Sequence, residues 1–338
     1  MITAAVFGSG RMGKTHIKNI VSSVPDAKVK YLITPRITEE VKAYCAETGI
    51  PYASSDPDLP FLDREVDTVI VASPSNTHRE IVHRACMAGK AVFCEKPICA
   101  ELPETLTCVK EVESAGIPFM VGFIRRFRFR DLCRRVQSGE VGNPEMIFVT
   151  TRDPKPFSEK YIQSSGIIFQ DMTIHDFDII RGLAGSEIEE VYVNSACLAD
   201  PVYAKYGDVD SVLISLKFAN GAIGSITNSR RGWRYDQRLE VLGSRGVIQT
   251  SAQDANTNLS LRSYYEKEGD MKNELFSSEE NDAFRIEIQT YFQMLREKAP
   301  SPVTAKDGLM AAIAAEAATR SYKEGRPVKL VEVYETIL

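Results

Sequence analysis

The sequence predicts two folded parts, an α/β domain with a doubly wound parallel sheet and an α+β domain built on a large, mostly antiparallel sheet. In the first third of the chain, short and nearly continuous apolar runs alternate with helical patterns, as expected for parallel strands covered on both faces. After about residue 122, apolar and polar residues alternate, which is typical of antiparallel strands with one buried face. A chain of 338 residues suits about two domains, and we expect these to be residues 1–122 and 123–338.

Individual elements follow from the same patterns. The predicted strands of the first domain are Ile2–Phe7, 29–33, 68–72, 91–94 and 118–121. The period-two pattern of the second domain is clearest in four alternating apolar residues, Val212, Ile214, Leu216 and Phe218. Asn220-Gly221 directly afterwards predicts a hairpin with a two-residue type I′ turn, and Gly243 and Gly246 mark a further turn. Helical patterns return near the end of the chain, where one face carries Phe284, Ile288, Tyr291, Phe292 and Leu295.

Composition excludes several classes of protein. The net charge is −5, which argues against nucleic acid as a partner, because binding to phosphate backbones is built from clustered Lys and Arg. One local basic cluster, Arg125, Arg126, Arg128 and Arg130, is interpreted as a helix face or a site for a small anion. No apolar run is long enough to span a bilayer. Seven cysteines without paired C-x-x-C spacing predict neither a disulfide framework nor a metal site, so we expect a cytoplasmic protein.

A glycine-rich turn carries the strongest functional signal. Residues Gly8-Ser9-Gly10-Arg11-Met12-Gly13 follow the first predicted strand and open the first helix, which is the context that a dinucleotide-binding G-x-G-x-x-G requires. Gly8 permits the tight turn, Gly10 lets a diphosphate approach the backbone, and Gly13 allows close packing of the helix on the strand. The helix N-terminus then offers N–H groups to the phosphates, so the first domain is predicted to be a Rossmann domain that binds a nicotinamide dinucleotide.

The end of the second strand bears on which nicotinamide cofactor is used. An enzyme specific for NAD usually has an acidic residue here, which accepts hydrogen bonds from the adenosine ribose and repels a 2′-phosphate. This chain has Thr34-Pro35-Arg36 instead, and either Arg36 or Arg11 could pair with a 2′-phosphate. We therefore predict NADP rather than NAD, with the alternative that Arg36 is a solvated loop residue and NAD is held by backbone contacts.

Further motifs carry a resemblance. Glu95-Lys96-Pro97 directly follows a predicted strand, and Gly166-x4-Asp171-x3-His175 begins a predicted helix in the second domain. In chain order with the glycine turn, with residues 72–78 (ASPSNTH) and with residues 122–127 (GFIRRF), these motifs resemble the family of glucose-fructose oxidoreductase, inositol dehydrogenase and MocA. The resemblance covers nearly the whole chain and implies oxidation of a secondary alcohol on a sugar or cyclic polyol.

The residues themselves support this chemistry. Asp171 and His175 are four apart, so they share one face of a helix, and a neutral imidazole can take a hydroxyl proton near pH 7. We assign His175 as general base, with Asp171 orienting the substrate or raising the basicity of the imidazole. Lys96 lies at the carboxyl end of a strand, where α/β sheets bind ligands, and its ammonium can stabilise alkoxide charge. In the resembling family the matching Lys, Asp and His have these roles, and a cis peptide commonly occurs where Lys96-Pro97 stands.

Other candidates are weaker. Ser73, Pro74 and His78 match family positions near the cofactor, although Asn76, Thr77 and His78 also suit a helix cap; Glu95 and Pro97 are grouped with them. His16 and His83 are interpreted as structural. The resemblance places Arg126, Asp153 and Tyr235 where polyol hydroxyls are often bound. The chain departs from the family at Arg128, where aspartate is common, and at Trp233, interpreted either as a residue stacking on a sugar or as a core or interface aromatic.

The leading hypothesis is a dehydrogenase or reductase that uses NADP or NAD without a metal and acts on a cyclic polyol or sugar. A glycosidase of the same family, which retains its cofactor and oxidises the sugar transiently, is the alternative enzyme. A non-catalytic dinucleotide sensor is a third hypothesis, and loss of Lys96 or His175 would have favoured it. The resemblance also implies self-association through the second sheet, as a homodimer or homotetramer.

Overall fold

The computed structural model describes residues 1–253, 258–265, 272–277 and 280–337. Six strands form one sheet: β1 (Ile2–Phe7), β2 (Ala27–Ile33), β3 (Tyr52–Ser54), β4 (Thr68–Val71), β5 (Ala91–Glu95) and β6 (Phe119–Gly122). Nine form a second sheet: β7 (Pro144–Arg152), β8 (Ile188–Ala196), β9 (Ser211–Phe218), β10 (Ile223–Ser229), β11 (Asp236–Gly243), β12 (Gly246–Gln253), β13 (Asn258–Tyr265), β14 (Lys272–Ser277) and β15 (Val328–Lys329).

Helices separate most of these strands. They are α1 (Arg11–Ser23), α2 (Glu39–Thr48), α3 (Leu59–Leu62), α4 (His78–Met87), α5 (Leu102–Ala115), α6 (Ile124–Arg128), α7 (Arg130–Gln137), α8 (Glu159–Ser165), α9 (Ile174–Ala184), α10 (Val202–Lys205), α11 (Glu280–Glu297), α12 (Ala305–Glu324) and α13 (Leu330–Tyr334). A 3₁₀ turn at Ser75–Thr77 precedes α4, and a π-helical turn at Phe169–Thr173 precedes α9.

The first sheet confirms the predicted doubly wound fold. Its strand order is β3-β2-β1-β4-β5-β6, and its described pairs are parallel. The central strands are covered on both faces, and every residue of β4 is buried. The order reverses between β1 and β4, so the turns after these two strands lie at the switch point where doubly wound sheets bind ligands.

The second sheet confirms the predicted mostly antiparallel architecture. Its order is β14-β13-β12-β11-β7-β10-β9-β8-β15, and β7 with β10 is a parallel pair. Along β9 the predicted apolar residues are buried and the residues between them are more exposed. Helix α9 packs against β7, which covers one face of the sheet with apolar side chains.

The hairpin between β9 and β10 is present, but the predicted turn type is wrong. The N–H of Gly221 donates to the carbonyl of Phe218, and the N–H of Phe218 donates to the carbonyl of Ala222. Gly221 has a φ of 88°, whereas Asn220 is not among the described residues with positive φ. The loop is therefore a type I turn closed by a left-handed glycine, a three-residue connection rather than a type I′ turn.

Two compact units divide the chain differently from the expected ranges 1–122 and 123–338. One unit comprises Met1–Phe127 with Glu280–Leu309, and the other comprises Arg128–Glu279 with Met310–Leu338. Helix α11 belongs to the first unit because it packs on α1. There the Tyr291 hydroxyl lies 2.5 Å from Thr68 Oγ1, and the Gln289 amide donates to the Ser23 carbonyl at 2.9 Å. That residues 1–122 and 123–338 act as the two functional domains stays a prediction.

A buried carboxyl on α11 gives a first test of this packing. Glu287 is fully buried, and burial, with the charge of Glu95 nearby, raises the pKa of Glu287 well above its ordinary value. The folded protein therefore binds this proton more tightly than the unfolded chain does. The stabilisation is complete below the unfolded pKa of about 4.3 and is lost as the pH rises toward the folded pKa.

We predict that Glu287→Gln makes thermal stability less dependent on pH. Because the amide cannot ionise, the melting temperature of the variant should exceed that of the wild type by about 2 °C or more at pH 8. The difference should shrink toward pH 5. Calorimetry across this range provides the measurement, with Glu297→Gln on the exposed end of α11 as the control. Parallel pH profiles of the wild type and Glu287→Gln would show that Glu287 is already ionised in the folded protein.

Candidate active site

Two glycines of the first turn are required by packing. Gly8 has a φ of 110°, and a Cβ built on it would lie 2.5 Å from the carbonyl oxygen of Ala72 in the loop after β4. A Cβ on Gly13 would lie 1.9 Å from the carbonyl oxygen of Gly8. Neither contact can be relieved by rotating a side chain, because both neighbours are backbone atoms. These glycines therefore have the turn and packing roles predicted for them.

Gly10 has a different environment, and this environment fits a diphosphate. It occupies the N-cap position of α1 with a φ of −76°, and a Cβ built on it would meet nothing within 4 Å. No side chain caps the helix, and its first turn contains no acidic residue. Gly10 thus borders open space at a positive helix end, which is the arrangement that binds dinucleotide phosphates.

The end of β2 is tied to the glycine turn by two hydroxyls. Ser9 Oγ lies 2.9 Å from Oγ1 of Thr34, which is buried. Arg11 and Arg36 are both exposed. Ser9 and Thr34 thus fix the loop, whereas the side chains of the two arginines are exposed on its surface.

His78 links the two other predicted cofactor segments. Its side chain is buried, with Nε2 2.9 Å from the Ser73 carbonyl oxygen and Nδ1 2.9 Å from the Pro97 carbonyl oxygen. Burial lowers the pKa of His78, and the hydrogen bonds to the two carbonyl oxygens oppose this shift. Thr77 stands at the N-cap of α4 without a side-chain capping bond; its hydroxyl instead lies 2.6 Å from Ser73 Oγ. The predicted side-chain cap is therefore wrong.

The segment Glu95-Lys96-Pro97 is held on both sides of the lysine. His16, fully buried in α1, lies with Nε2 2.7 Å from Glu95 Oε1, and His78 in α4 contacts the Pro97 carbonyl as described. The Lys96-Pro97 peptide bond is cis, as the resemblance implied. Two buried histidines thus hold the residues on either side of Lys96. His16 has the structural environment predicted for it.

Arg126 is a predicted substrate residue that lies in the first unit. Its Nη2 lies 3.0 Å from Asp307 Oδ1, and its Nη1 donates to the Pro302 carbonyl at 3.2 Å. These contacts join α6 to the start of α12 and fix the orientation of the guanidinium.

In the second unit, Asp171 and His175 follow each other along one helical segment. Asp171 lies in the π-helical turn and His175 in the first turn of α9. The segment is anchored where it begins, because the Ile168 N–H donates to Asp208 Oδ1 at 2.9 Å. Burial raises the pKa of Asp208 to about 6. The motif is therefore helical as predicted, but its first part is a π-helical turn.

The sequence did not single out Arg230, which organises this part of the second unit. It is buried, with Nη2 2.9 Å from Asp171 Oδ2 and Nη1 3.2 Å from Asp153 Oδ2. Burial would lower the pKa of Arg230, but the two carboxylates outweigh it and raise the pKa. Asp153 and Asp171, both predicted substrate residues, thus share one guanidinium. The sequence signal was weak, because Arg230 directly precedes Arg231 and nothing in the pattern distinguishes a buried from an exposed arginine.

Of the two departures from the family, Arg128 lies close to Tyr235 in space, and Trp233 lies two residues before it in the chain. The guanidinium of Arg128 lies 5.6 Å from the centre of the Tyr235 ring, and the Tyr235 hydroxyl accepts from Gln237 Nε2 at 2.7 Å. Trp233 is 85% exposed, with a φ of 63°, so its interpretation as a core residue is wrong. Its described ring contact is with the Arg231 guanidinium at 5.7 Å.

Within the described ranges, no cluster of three His, Cys, Asp or Glu side chains is arranged to bind a metal ion. The same part of the chain contains no helix that is long and apolar enough to cross a membrane.

Comparison with known proteins agrees with this geometry. Residues 2–123 match the family described as "Oxidoreductase family, NAD-binding Rossmann fold", and residues 134–330 match "Oxidoreductase family, C-terminal alpha/beta domain". Fold and glycine turn together define a dinucleotide-binding oxidoreductase. The chain belongs to the family of glucose-fructose oxidoreductase, inositol dehydrogenase and MocA.

Individual relatives match along nearly their whole length. The myo-inositol 2-dehydrogenase of Thermotoga maritima is 37% identical over 97% of this chain and 98% of its own. The scyllo-inositol 2-dehydrogenase (NAD(+)) of Bacillus subtilis is 35% identical over 97% of this chain and 96% of its own. A crystal structure of the scyllo-inositol dehydrogenase from Lactobacillus casei, with bound NAD(H) and scyllo-inositol, is 26% identical with a TM-score of 0.84, covering 98% of this chain and 99% of that one.

We predict opposite effects for alanine at two glycines of the turn. Gly10→Ala should change unfolding free energy by less than about 1 kcal/mol, since the methyl group meets no atom, yet weaken cofactor binding at least tenfold by occupying the diphosphate's approach. Gly13→Ala should destabilise the fold by about 2 kcal/mol or more. Thermal unfolding and fluorescence titration with reduced cofactor measure the two effects. Normal cofactor affinity in Gly10→Ala would contradict the assignment of this turn.

We also predict that Arg230→Met lowers kcat/KM at least a hundredfold. Without the guanidinium, Asp153 and Asp171 repel each other and the pKa of one carboxyl rises. The acidic limb of the pH profile of kcat/KM should therefore move to higher pH. The matched control is Arg231→Met, because the exposed Arg231 guanidinium donates to the carbonyls of Leu198 and Ala199 instead. An unchanged acidic limb in a folded Arg230→Met protein would contradict this role.

Proposed function

We propose that this protein oxidises a secondary hydroxyl of a cyclic polyol of the inositol type, with NAD(P) as hydride acceptor. The observation that carries the proposal is the ion-paired Asp171 placed four residues before His175, in the second unit of a Rossmann oxidoreductase. Support comes from relatives named as myo-inositol and scyllo-inositol dehydrogenases, which match along nearly their whole length.

We assign the steps at the reacting hydroxyl to three residues of this chain. His175 accepts the proton of the reacting hydroxyl, because neutral imidazole has a suitable pKa near pH 7. Lys96 donates a hydrogen bond to the same oxygen and stabilises its developing negative charge. Asp171, ionised beside Arg230, orients the substrate. The bound nicotinamide supplies the acceptor for the hydride that leaves the carbon.

Further substrate contacts are proposed for Arg126, Asp153 and Tyr235. Asp153 and Tyr235 supply oxygens that bind hydroxyls, and Arg126 supplies N–H donors. Asp153 is held by Arg230 at 3.2 Å, and Arg126 is held by Asp307 at 3.0 Å. Asp153 and Arg126 are therefore oriented before substrate binds, which lowers the entropic cost of recognition.

For the cofactor we propose NADP as the preferred form. The support is the absence of a carboxylate in Thr34-Pro35-Arg36 and the exposure of both Arg11 and Arg36. One relative is named as an NAD(+) enzyme and another was crystallised with bound NAD(H), which favours the other form. Comparison of kcat/KM for NADP and NAD decides between them, and a tenfold preference for NAD would contradict this proposal.

We propose a homodimer or homotetramer formed through the second sheet. Leu213 on β9 is 61% exposed and Ile223 on β10 is 46% exposed, so neighbouring strands present apolar side chains that a second copy could cover. The cytoplasmic location stays a prediction from the sequence.

Replacement of His175 tests the proposed chemistry. His175→Ala should lower kcat with an inositol at least a thousandfold, because the hydroxyl proton loses its acceptor, and should leave the Kd of the reduced cofactor within about twofold. Lys96→Met should lower kcat by a similar factor. His83→Gln is the matched control, since His83 contacts Glu111 on α5. Full activity in His175→Ala would contradict the assignment.

A panel of inositols, aldoses and aryl glycosides distinguishes the alternatives. We expect cyclic polyols to produce reduced cofactor, detected at 340 nm. Cleavage of aryl glycosides without accumulation of reduced cofactor would instead indicate the glycosidase. Cofactor binding without either reaction would indicate a sensor.

A further inference from the structure

Two partly exposed aromatic side chains lie beside the carboxylate assigned to substrate orientation. The rings of Phe157 and Tyr161 have their centres 4.6 Å apart with an interplanar angle of 35°. Phe157 is 38% exposed and Tyr161 is 40% exposed. The pair therefore leaves aromatic surface accessible to a ligand next to Asp171.

Tyr161 is joined directly to Asp171. Its hydroxyl donates to Asp171 Oδ1 at 2.9 Å, while Arg230 donates to Oδ2 at the same distance. Each oxygen of Asp171 therefore has its own donor. Burial, together with the charge of Asp171, raises the pKa of Tyr161, so the hydroxyl keeps its proton and remains a donor.

Phe157 is held by the same group. The Arg230 guanidinium lies 5.2 Å from the centre of the Phe157 ring, which is a cation–π distance. The Phe157 N–H donates to the hydroxyl of the buried Tyr203 at 3.1 Å. Backbone and ring are thus both fixed, so the exposed face of the pair is formed before any ligand arrives.

We propose that Phe157 and Tyr161 form an apolar platform for the C–H face of a ring-shaped polyol, and that Tyr161 determines specificity for rings over open chains. A cyclic polyol presents its ring C–H groups together, whereas an acyclic polyol has no fixed face to offer a flat aromatic surface. The platform adjoins Asp171, so one substrate can stack on the rings while a hydroxyl reaches the carboxylate. This inference rests on the proposed polyol dehydrogenase function and names the side chains that recognise the ring of the substrate.

The test separates the ring of Tyr161 from its hydroxyl. Tyr161→Phe keeps the ring and should lower kcat severalfold with little change in the KM for myo-inositol, because the bond to Asp171 is lost while the stacking surface stays. Tyr161→Ala removes both and should raise this KM at least tenfold. Phe157→Ala should raise KM without lowering kcat more than twofold. Tyr206→Phe is the matched control, since the Tyr206 hydroxyl contacts Glu159 and Gln163 around α8.

Binding is measured independently of turnover by saturation-transfer NMR with myo-inositol and, for comparison, mannitol. In the wild type, ring C–H protons of the inositol should receive more saturation than the protons of mannitol. Tyr161→Ala should remove this difference. If the wild type binds and oxidises myo-inositol but Tyr161→Ala behaves like Tyr206→Phe, the platform is wrong and the proposed function stands. If the wild type neither binds nor oxidises any cyclic polyol, both are wrong.

Discussion

The second unit depends on one buried guanidinium. Arg230 brings Asp153 and Asp171 to a common centre in surroundings where two ionised carboxylates would otherwise repel each other. Taking one partner out of a buried charge cluster typically costs several kcal/mol, so the three side chains are fixed as a set. Asp171 is thereby paired and oriented before any ligand binds, as its proposed role in positioning a hydroxyl requires.

In the first unit, backbone atoms shape the glycine turn and two histidine side chains hold the residues around Lys96. Its glycine turn must be compact at Gly8 and Gly13 and open at Gly10, because only the open position borders the space available to a diphosphate. Beyond the turn, His16 and His78 hold the residues on either side of Lys96. Side chains from α1 and α4 therefore hold the residues on both sides of Lys96, the residue proposed to stabilise alkoxide charge.

Sequence reasoning was correct for features that depend on residues close together in the chain. The glycine turn, the alternation along β9 and the helical Asp171-x3-His175 segment each depend on a few neighbouring residues. The short strand β3 was missed because its three residues carry no apolar run. The hairpin at Gly221 was found but its turn was misassigned, because Asn-Gly suits two loop lengths.

The membership of α11 in the first unit depends on long-range contacts such as that between Thr68 and Tyr291, which are 223 residues apart, and no local pattern records it. Arg230 was missed for a related reason, since only burial distinguishes it from Arg231.

The central claim is that cofactor and polyol react directly, by transfer of a hydride from a ring carbon to the nicotinamide. The most direct measurement follows deuterium from inositol labelled at every ring carbon into the reduced cofactor, by mass spectrometry of the purified nucleotide. Direct hydride transfer predicts one deuterium at the nicotinamide ring for each inositol oxidised. Reduced cofactor without deuterium, formed while the labelled inositol is oxidised, would contradict the account.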